Sequence, residues 1–186
     1  MQKNLVDEIF TEIDIMLKTK ESVIVAIDGR CASGKTTLAS ELQKKLNCNV
    51  IHMDDIFLRP EQRTEERLAE IGGNVDYERF SEEVLKPLQA NKEFEYRPFD
   101  CHTLDFKPAI RVVPNKITVI EGSYSCNPVF GKYYDINLFL DADKELQLMR
   151  IKTRNGEDAL EIFKKKWIPS EEKYFEKIKP IWRKYE

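Results

Sequence analysis

Residues 29–37 read GRCASGKTT, with glycine, glycine, lysine and threonine at the spacing G-x-x-x-x-G-K-T. Glycines at those positions let the backbone turn successive N–H groups inward, which builds an anion nest at the start of a helix. Lys35 can then reach the outer phosphates of a nucleoside triphosphate, and the Thr36 hydroxyl can ligate magnesium. Gly29, Ala32, Ser33, Gly34 and Thr37 are expected to complete the cradle for a nucleoside triphosphate with Mg2+, in a loop type that serves GTPases, motors and kinases alike. The same chemistry uses an acid at a strand end beside the metal, and Glu121 of ITVIEG stands there, with Gly122 keeping the next backbone close. A second pair of acids, Asp54 and Asp55, follows the run NVIHM. A carboxylate there can accept a proton from an attacking hydroxyl or bind a magnesium-held water. Neighbouring side chains on extended chain diverge, so only one of the two is expected to reach the site well. His52 reads as an ordinary strand residue.

These groups need a scaffold, and hydropathy patterning supplies one. SVIVAI (22–27) is short, β-branched and uninterrupted, as a strand covered on both faces should be. NVIHM (49–53), ITVIE (117–121) and INLFL (136–140) read the same way. Between them lie helical spacings. Leu5, Ile9, Ile13 and Met16 mark a helix over 3–18, and Leu38, Leu42 and Leu46 one over 35–46. Phe80, Val84 and Leu88 mark a helix over 77–89 that Pro87 should end or kink. Another spans 143–155, with Asp143 as its N-cap and Gly156 as its stop. The tail from 157 is helical and rich in Lys and Glu, with interruptions expected at Pro169 and Pro180. Strands alternating with helices imply an α/β protein with a mostly parallel sheet of four or five strands and helices on both faces. Ligands of such sheets gather at the carboxyl ends of the strands, where the loop and the acids sit.

Composition narrows the classes further. The chain has 186 residues, which suits one domain (1–186), and a net charge of −3, so no broad basic field attracts nucleic acid. The apolar runs are too short to span a bilayer, and MQKNLVDEIF lacks the apolar stretch of a secretory signal. Cys31, Cys48, Cys101 and Cys126 show no C-x-x-C spacing, which speaks against zinc and against a disulfide framework. A reducing cytoplasm, a small-molecule substrate, and no nucleic-acid or membrane partner are the expectations; oligomeric state has no sequence signal. The stretch 56–116 is polar and turn-rich between two core strands, and is expected to be a substrate-side insertion.

Together these pieces resemble the uridine kinase branch of the P-loop kinases, related to phosphoribulokinase and pantothenate kinase. The family pattern DGxSxSGKT matches DGRCASGKT, its Q-D-S-F-Y matches Met53-Asp54-Asp55-Ile56-Phe57, and its strand-end EG matches Glu121-Gly122. The resemblance implies the three-layer fold of P-loop NTPases and transfer of the γ-phosphoryl group of ATP to a hydroxyl of a nucleoside-like molecule. It puts the general base on Asp54 and the acceptor side on Asp55. NVDYERF (74–80) resembles a segment that carries a substrate-hydroxyl contact, here Asp76. RIKTRN (150–155) resembles the lid, about 150–167, whose arginines Arg150 and Arg154 close over phosphates. The family's base-reading stretch aligns with Phe99-Asp100-Cys101-His102-Thr103-Leu104. This implies substrate contacts at Phe99, Asp100 and His102, but leaves Leu104 where the family has histidine. Two further departures stand out: Arg59, Arg63 and Arg67 have no counterpart, and IWRKYE shows no closing strand of the kind that helps hold adenine. Other readings of the same residues are a kinase of another phosphorylated or carboxylated metabolite, and a nucleotide-binding regulator.

Overall fold

The computed structural model describes residues 2–178 and 184–185, and its centre is a parallel sheet. Helix α1 (Gln2–Met16) leads to strand β1 (Val23–Gly29), the phosphate loop and helix α2 (Lys35–Leu46). Strand β2 (Asn49–His52) follows, then a single 3₁₀ turn at Met53–Asp55. After the 56–116 segment come β7 (Ile117–Glu121) and β8 (Ile136–Leu140). A last strand, β9 (Lys184–Tyr185), runs parallel to β8, and the sheet order is β2-β7-β1-β8-β9. That strand corrects the expectation that the chain lacks a closing strand. Two residues are too few for any alternation to show in a sequence.

Side-chain alternation along β1 makes the two faces. Val23, Val25 and Ile27 join Val6, Ile9 and Ile13 of α1 and Leu38, Ala39 and Leu42 of α2 in one apolar cluster. Ala26 faces the opposite way, into a second cluster with Met53, Phe80, Tyr96, Tyr174 and Phe175. The sheet is thus a middle layer between two cores, which is why its strands read as unbroken apolar runs.

The 56–116 segment builds part of the second face from short pieces. These are α3 (Glu65–Ala69), α4 (Tyr77–Arg79), a π-helical stretch at Phe80–Leu85, and α5 (Lys86–Gln89). Two small antiparallel pairs complete it, β3 (Phe94–Tyr96) with β6 (Ile110–Val112) and β4 (Phe99–Asp100) with β5 (Asp105–Phe106). After β8, α6 (Lys144–Asn155) starts at Asp143, whose carboxylate accepts from Glu145 N–H at 2.8 Å, and stops at Gly156. The tail is α7 (Glu157–Ile162), a π-helical stretch at Phe163–Trp167, and α8 (Ile168–Ile178).

Neither Pro87 nor Pro169 ends its helix. Lys86 N–H bonds back five residues to Ser81 O, and Ile168 N–H five residues to Phe163 O. The wider turn just ahead of each proline relieves the clash that its ring would make with the carbonyl four residues back. Pro180 lies outside the described residues.

Candidate functional site

The loop's shape is imposed by close backbone approach. A Cβ on Gly29 would lie 2.1 Å from Leu140 O, and Gly29 and Gly34 hold φ values of 136° and 105°. Gly34 is the N-cap of α2 and offers no side-chain bond to the first N–H groups of the helix. Helix α2 therefore presents its opening amides uncapped, with the positive end of its dipole. Ser33 Oγ is buried without a partner beside them. The Lys35 ammonium, itself buried, donates to Gly29 O at 2.9 Å and Arg30 O at 2.7 Å. Open amides, an orphaned hydroxyl and a lysine held at the loop mouth suit a phosphate chain.

The strand ends bring acids to that loop. Parallel register sets Ile27 and His52 on either side of Glu121. Glu121 is 5% exposed, and its Oε1 accepts from the Thr36 hydroxyl at 3.1 Å and from His52 Nδ1 at 2.5 Å. The Thr36 and Glu121 oxygens form a hard-oxygen pair of the sort that holds magnesium, most of whose remaining ligands are water and phosphate. His52 is a correction: it is a strand residue, but its ring belongs to the site. The Glu121 hydrogen bond holds its imidazole above the usual range despite partial burial. Only cross-strand register reveals this contact.

Gly122 follows at φ 139°, and a Cβ there would come within 2.7 Å of Met53 Cβ. The 3₁₀ turn Met53–Asp55 is thereby seated against the end of β7, and its tight turn fans the two aspartates apart. Asp54 opens to solvent, yet the surrounding protein pushes its carboxyl above the ordinary range, mainly by desolvation. Lys35 pulls the other way, Glu121 adds to the rise, and Arg154 and His52 oppose it. Asp55 faces the insertion, where the Tyr96 hydroxyl donates to its Oδ2 at 3.2 Å. Burial raises its carboxyl as well, against His52 and that hydroxyl. Asp54 is the member of the pair that shares the field of Lys35 and Arg154.

The remaining sequence-predicted residues lie at varied removes. Arg150 donates to Ala32 O at 3.0 Å, on the rim of the loop, and Arg154 donates from Nε to Asn155 Oδ1 at 2.8 Å. Asp76 is 2% exposed and caps α4, accepting from Arg79 N–H at 3.1 Å and from Gln62 Nε2 at 2.9 Å. Asp100 shapes the turn after β4: its Oδ1 accepts from His102 N–H at 2.7 Å, and Lys107 pairs with its Oδ2 at 3.2 Å. The His102 bond, with Lys107 second, holds its carboxyl below the usual range. Phe99 is buried edge-to-face on Phe106, centroids 5.6 Å apart, whereas His102 and Leu104 are exposed.

No family model matches the chain. Curated uridine kinases of Staphylococcus aureus, strains JH9 and Newman among them, are 27% identical over 156 residues, covering 75% of this chain and 71% of theirs. Among solved structures, a candidate uridine kinase from Bacillus stearothermophilus is 23% identical with a TM-score of 0.66, covering 94% of this chain and 95% of its own. A candidate fructose transport system kinase from Silicibacter sp. TM1040 is 20% identical with a TM-score of 0.75, covering 95% and 94%. At those identities the two structures bear on the fold alone, which is the α/β fold of the P-loop NTPases. Likeness to the curated relatives, together with the fold and the phosphate loop, supports a P-loop kinase. Within that class the chain is similar to the uridine kinase-like branch. Among the described residues, no helix is long and apolar enough to cross a membrane.

Proposed function

We propose that this chain transfers the γ-phosphoryl group of ATP to a hydroxyl of a small, nucleoside-like molecule. The observation that carries the proposal is the meeting of Lys35, Thr36, Glu121 and Asp54 at the uncapped start of α2. Magnesium, when bound, would neutralise charge developing on the phosphates, and Thr36 and Glu121 are the residues to hold it, directly or through water. Lys35 and the loop amides hold the phosphate oxygens. Asp54, with its raised carboxyl, accepts the proton of the acceptor hydroxyl, because a base works best when its pKa lies near the working pH. Arg154 brings positive charge to the same place, and Arg150 holds the loop rim. Asp55, Asp76, Phe99, Asp100 and His102 remain the acceptor-side residues of this proposal, with Asp76 and Asp100 already engaged within the fold. Placement and fixed charge are what phosphoryl transfer chiefly requires.

One observation favours a second acceptor class. Arg59 pairs with Glu61, and Arg67 with Glu78 and Glu70. Among the described residues no carboxylate pairs with Arg63, whose guanidinium touches Leu58 O and Cys101 Sγ. A carboxylated or phosphorylated acceptor would suit it. Incubation with γ-labelled ATP and a panel of nucleosides, nucleoside monophosphates, sugars and carboxylated alcohols decides between them. A labelled small product that disappears in Lys35→Ala supports the kinase proposal. ATP hydrolysis without any labelled product would favour the regulator reading instead.

A further inference from the structure

The phosphate loop is gripped from outside by side chains that no motif names. Cys31 N–H donates to Glu171 Oε2 of α8 at 3.1 Å, and Cys31 O accepts from Gln147 Nε2 of α6 at 3.1 Å. Both backbone groups of this one residue are therefore satisfied by side chains from distant helices. Those side chains are almost wholly buried, with Gln147 2% and Glu171 5% exposed. Arg30, the preceding residue, donates to Asp141 at 2.6 Å, pairs with Glu172 of α8 and lies over the Phe175 ring at 5.4 Å. The second oxygen of Glu171 accepts from the Ser123 hydroxyl at 2.7 Å. Ser123 Oγ in turn lies 3.4 Å from Lys35 Nζ, so a chain of hydrogen bonds runs from α8 to the phosphate-binding ammonium.

A buried carboxylate stabilises a fold poorly, since its desolvation offsets most of the attraction it gains. The hydrogen bonds that Glu171 and Gln147 make to the loop are better explained by geometry that the loop must keep. Resting on the kinase reading above, we propose that Glu171 and Gln147 are positioning residues. They clamp the Cys31 backbone from both sides, and Glu171 acts through Ser123 to set where the Lys35 ammonium sits.

The test follows the fluorescent nucleotide MANT-ATP with magnesium, alongside thermal melts of the free protein. Ser123→Ala removes the hydroxyl that joins Glu171 to Lys35 and also touches Gly29 O at 3.1 Å, and is expected to weaken binding about threefold with a cooperative melt retained. Glu171→Ala is expected to weaken it about tenfold, as befits one charge-assisted hydrogen bond. Glu171→Gln keeps one acceptor oxygen and should fall between wild type and Glu171→Ala. The double variant Ser123→Ala/Glu171→Ala should lose less than the product of the two single losses, because the Glu171–Ser123 bond belongs to both. Binding by Ser123→Ala within error of wild type, or losses that multiply in the double variant, overturns the proposal. Should Glu171→Ala not fold, Ser123→Ala and Glu171→Gln decide the matter by the same criteria. If wild type itself does not bind MANT-ATP, the kinase reading fails separately. The clamp is then judged by hydrogen exchange of the 29–36 peptide, which Glu171→Gln must accelerate; unchanged exchange overturns it.

Discussion

Asp28 is the residue whose charge should leave the clearest mark on stability. It is fully buried at the end of β1 and accepts from Gly29 N–H at 2.7 Å, Cys126 N–H at 2.9 Å, Tyr124 N–H at 3.1 Å and the Tyr174 phenol. Burial nonetheless outweighs those donors and the nearby Lys35, and pushes the carboxyl from 3.8 to about 6. The folded chain therefore binds this proton more tightly than the unfolded chain does. The stability that the neutral form contributes is fully present below about pH 4 and is lost as pH rises through about 6. At about 1.36 kcal/mol per pH unit, the difference comes to about 3 kcal/mol. Asp28→Asn has no such proton to exchange. Urea unfolding of both proteins at several values from about pH 4 to 7 should show wild type losing about 3 kcal/mol relative to the variant across that range. Parallel stability curves would refute the reasoning. Curves that converge the other way, with wild type gaining toward neutrality, would show that the four donors outweigh burial.

Other expectations concern the site itself. Asp54→Asn should lower kcat by at least ~10²-fold and Asp55→Asn by much less, since only Asp54 shares the field of Lys35 and Arg154; steady-state kinetics on the best acceptor would expose a reversed ranking. Arg154→Ala should reduce kcat far more than it changes the dissociation constant for ATP, and equal effects would place that arginine outside the chemistry. Gly122→Ala forces a side chain into a φ of 139° and 2.7 Å from Met53 Cβ. It should cost about 2–3 kcal/mol and lower Tm by roughly 5–10 °C, and an unchanged melt would mean the Met53–Asp55 turn is free to move. Uridine and cytidine should be poor acceptors with shallow selectivity among bases, because Leu104 offers no hydrogen bond and an apolar wall discriminates weakly. A uridine kcat/KM near ~10⁵ M⁻¹s⁻¹ with other bases rejected would contradict this.

Strands Ile117–Glu121 and Ile136–Leu140 and helix Lys35–Leu46 begin and end where hydropathy and the glycine spacing put them. Each carries its own signal: a buried β-branched run, or apolar residues four apart after an anion loop. What sequence reading misses is of another kind. A π turn is a property of hydrogen bonding, so nothing in the residue types at 163–167 announces that Pro169 will be tolerated. The His52–Glu121 contact depends on which strands become neighbours. The clamp on Cys31 joins residues more than a hundred positions apart, each ordinary where it stands. Asp76 shows a local signal, an acid three residues before the backbone N–H it caps.

The hydrogen bond between Tyr174 and Asp28 closes a span of 146 residues. During synthesis the carboxylate leaves the ribosome with the first core strand, and its phenol partner is made 146 residues later. At about 5–20 residues per second, the interval lasts on the order of ten seconds. Over that interval the nascent phosphate loop lacks Tyr174, Glu171 and Glu172 alike, so a nucleotide has only a half-built cradle to enter. Contacts of such long range also delay folding after release, because the loop-closing entropy is lost before the contact is gained. On the proposed function, nucleotide-binding competence would be acquired late in biogenesis, and chains truncated before α8, which lack Tyr174, Phe175 and β9, should hold ATP more weakly than the full chain.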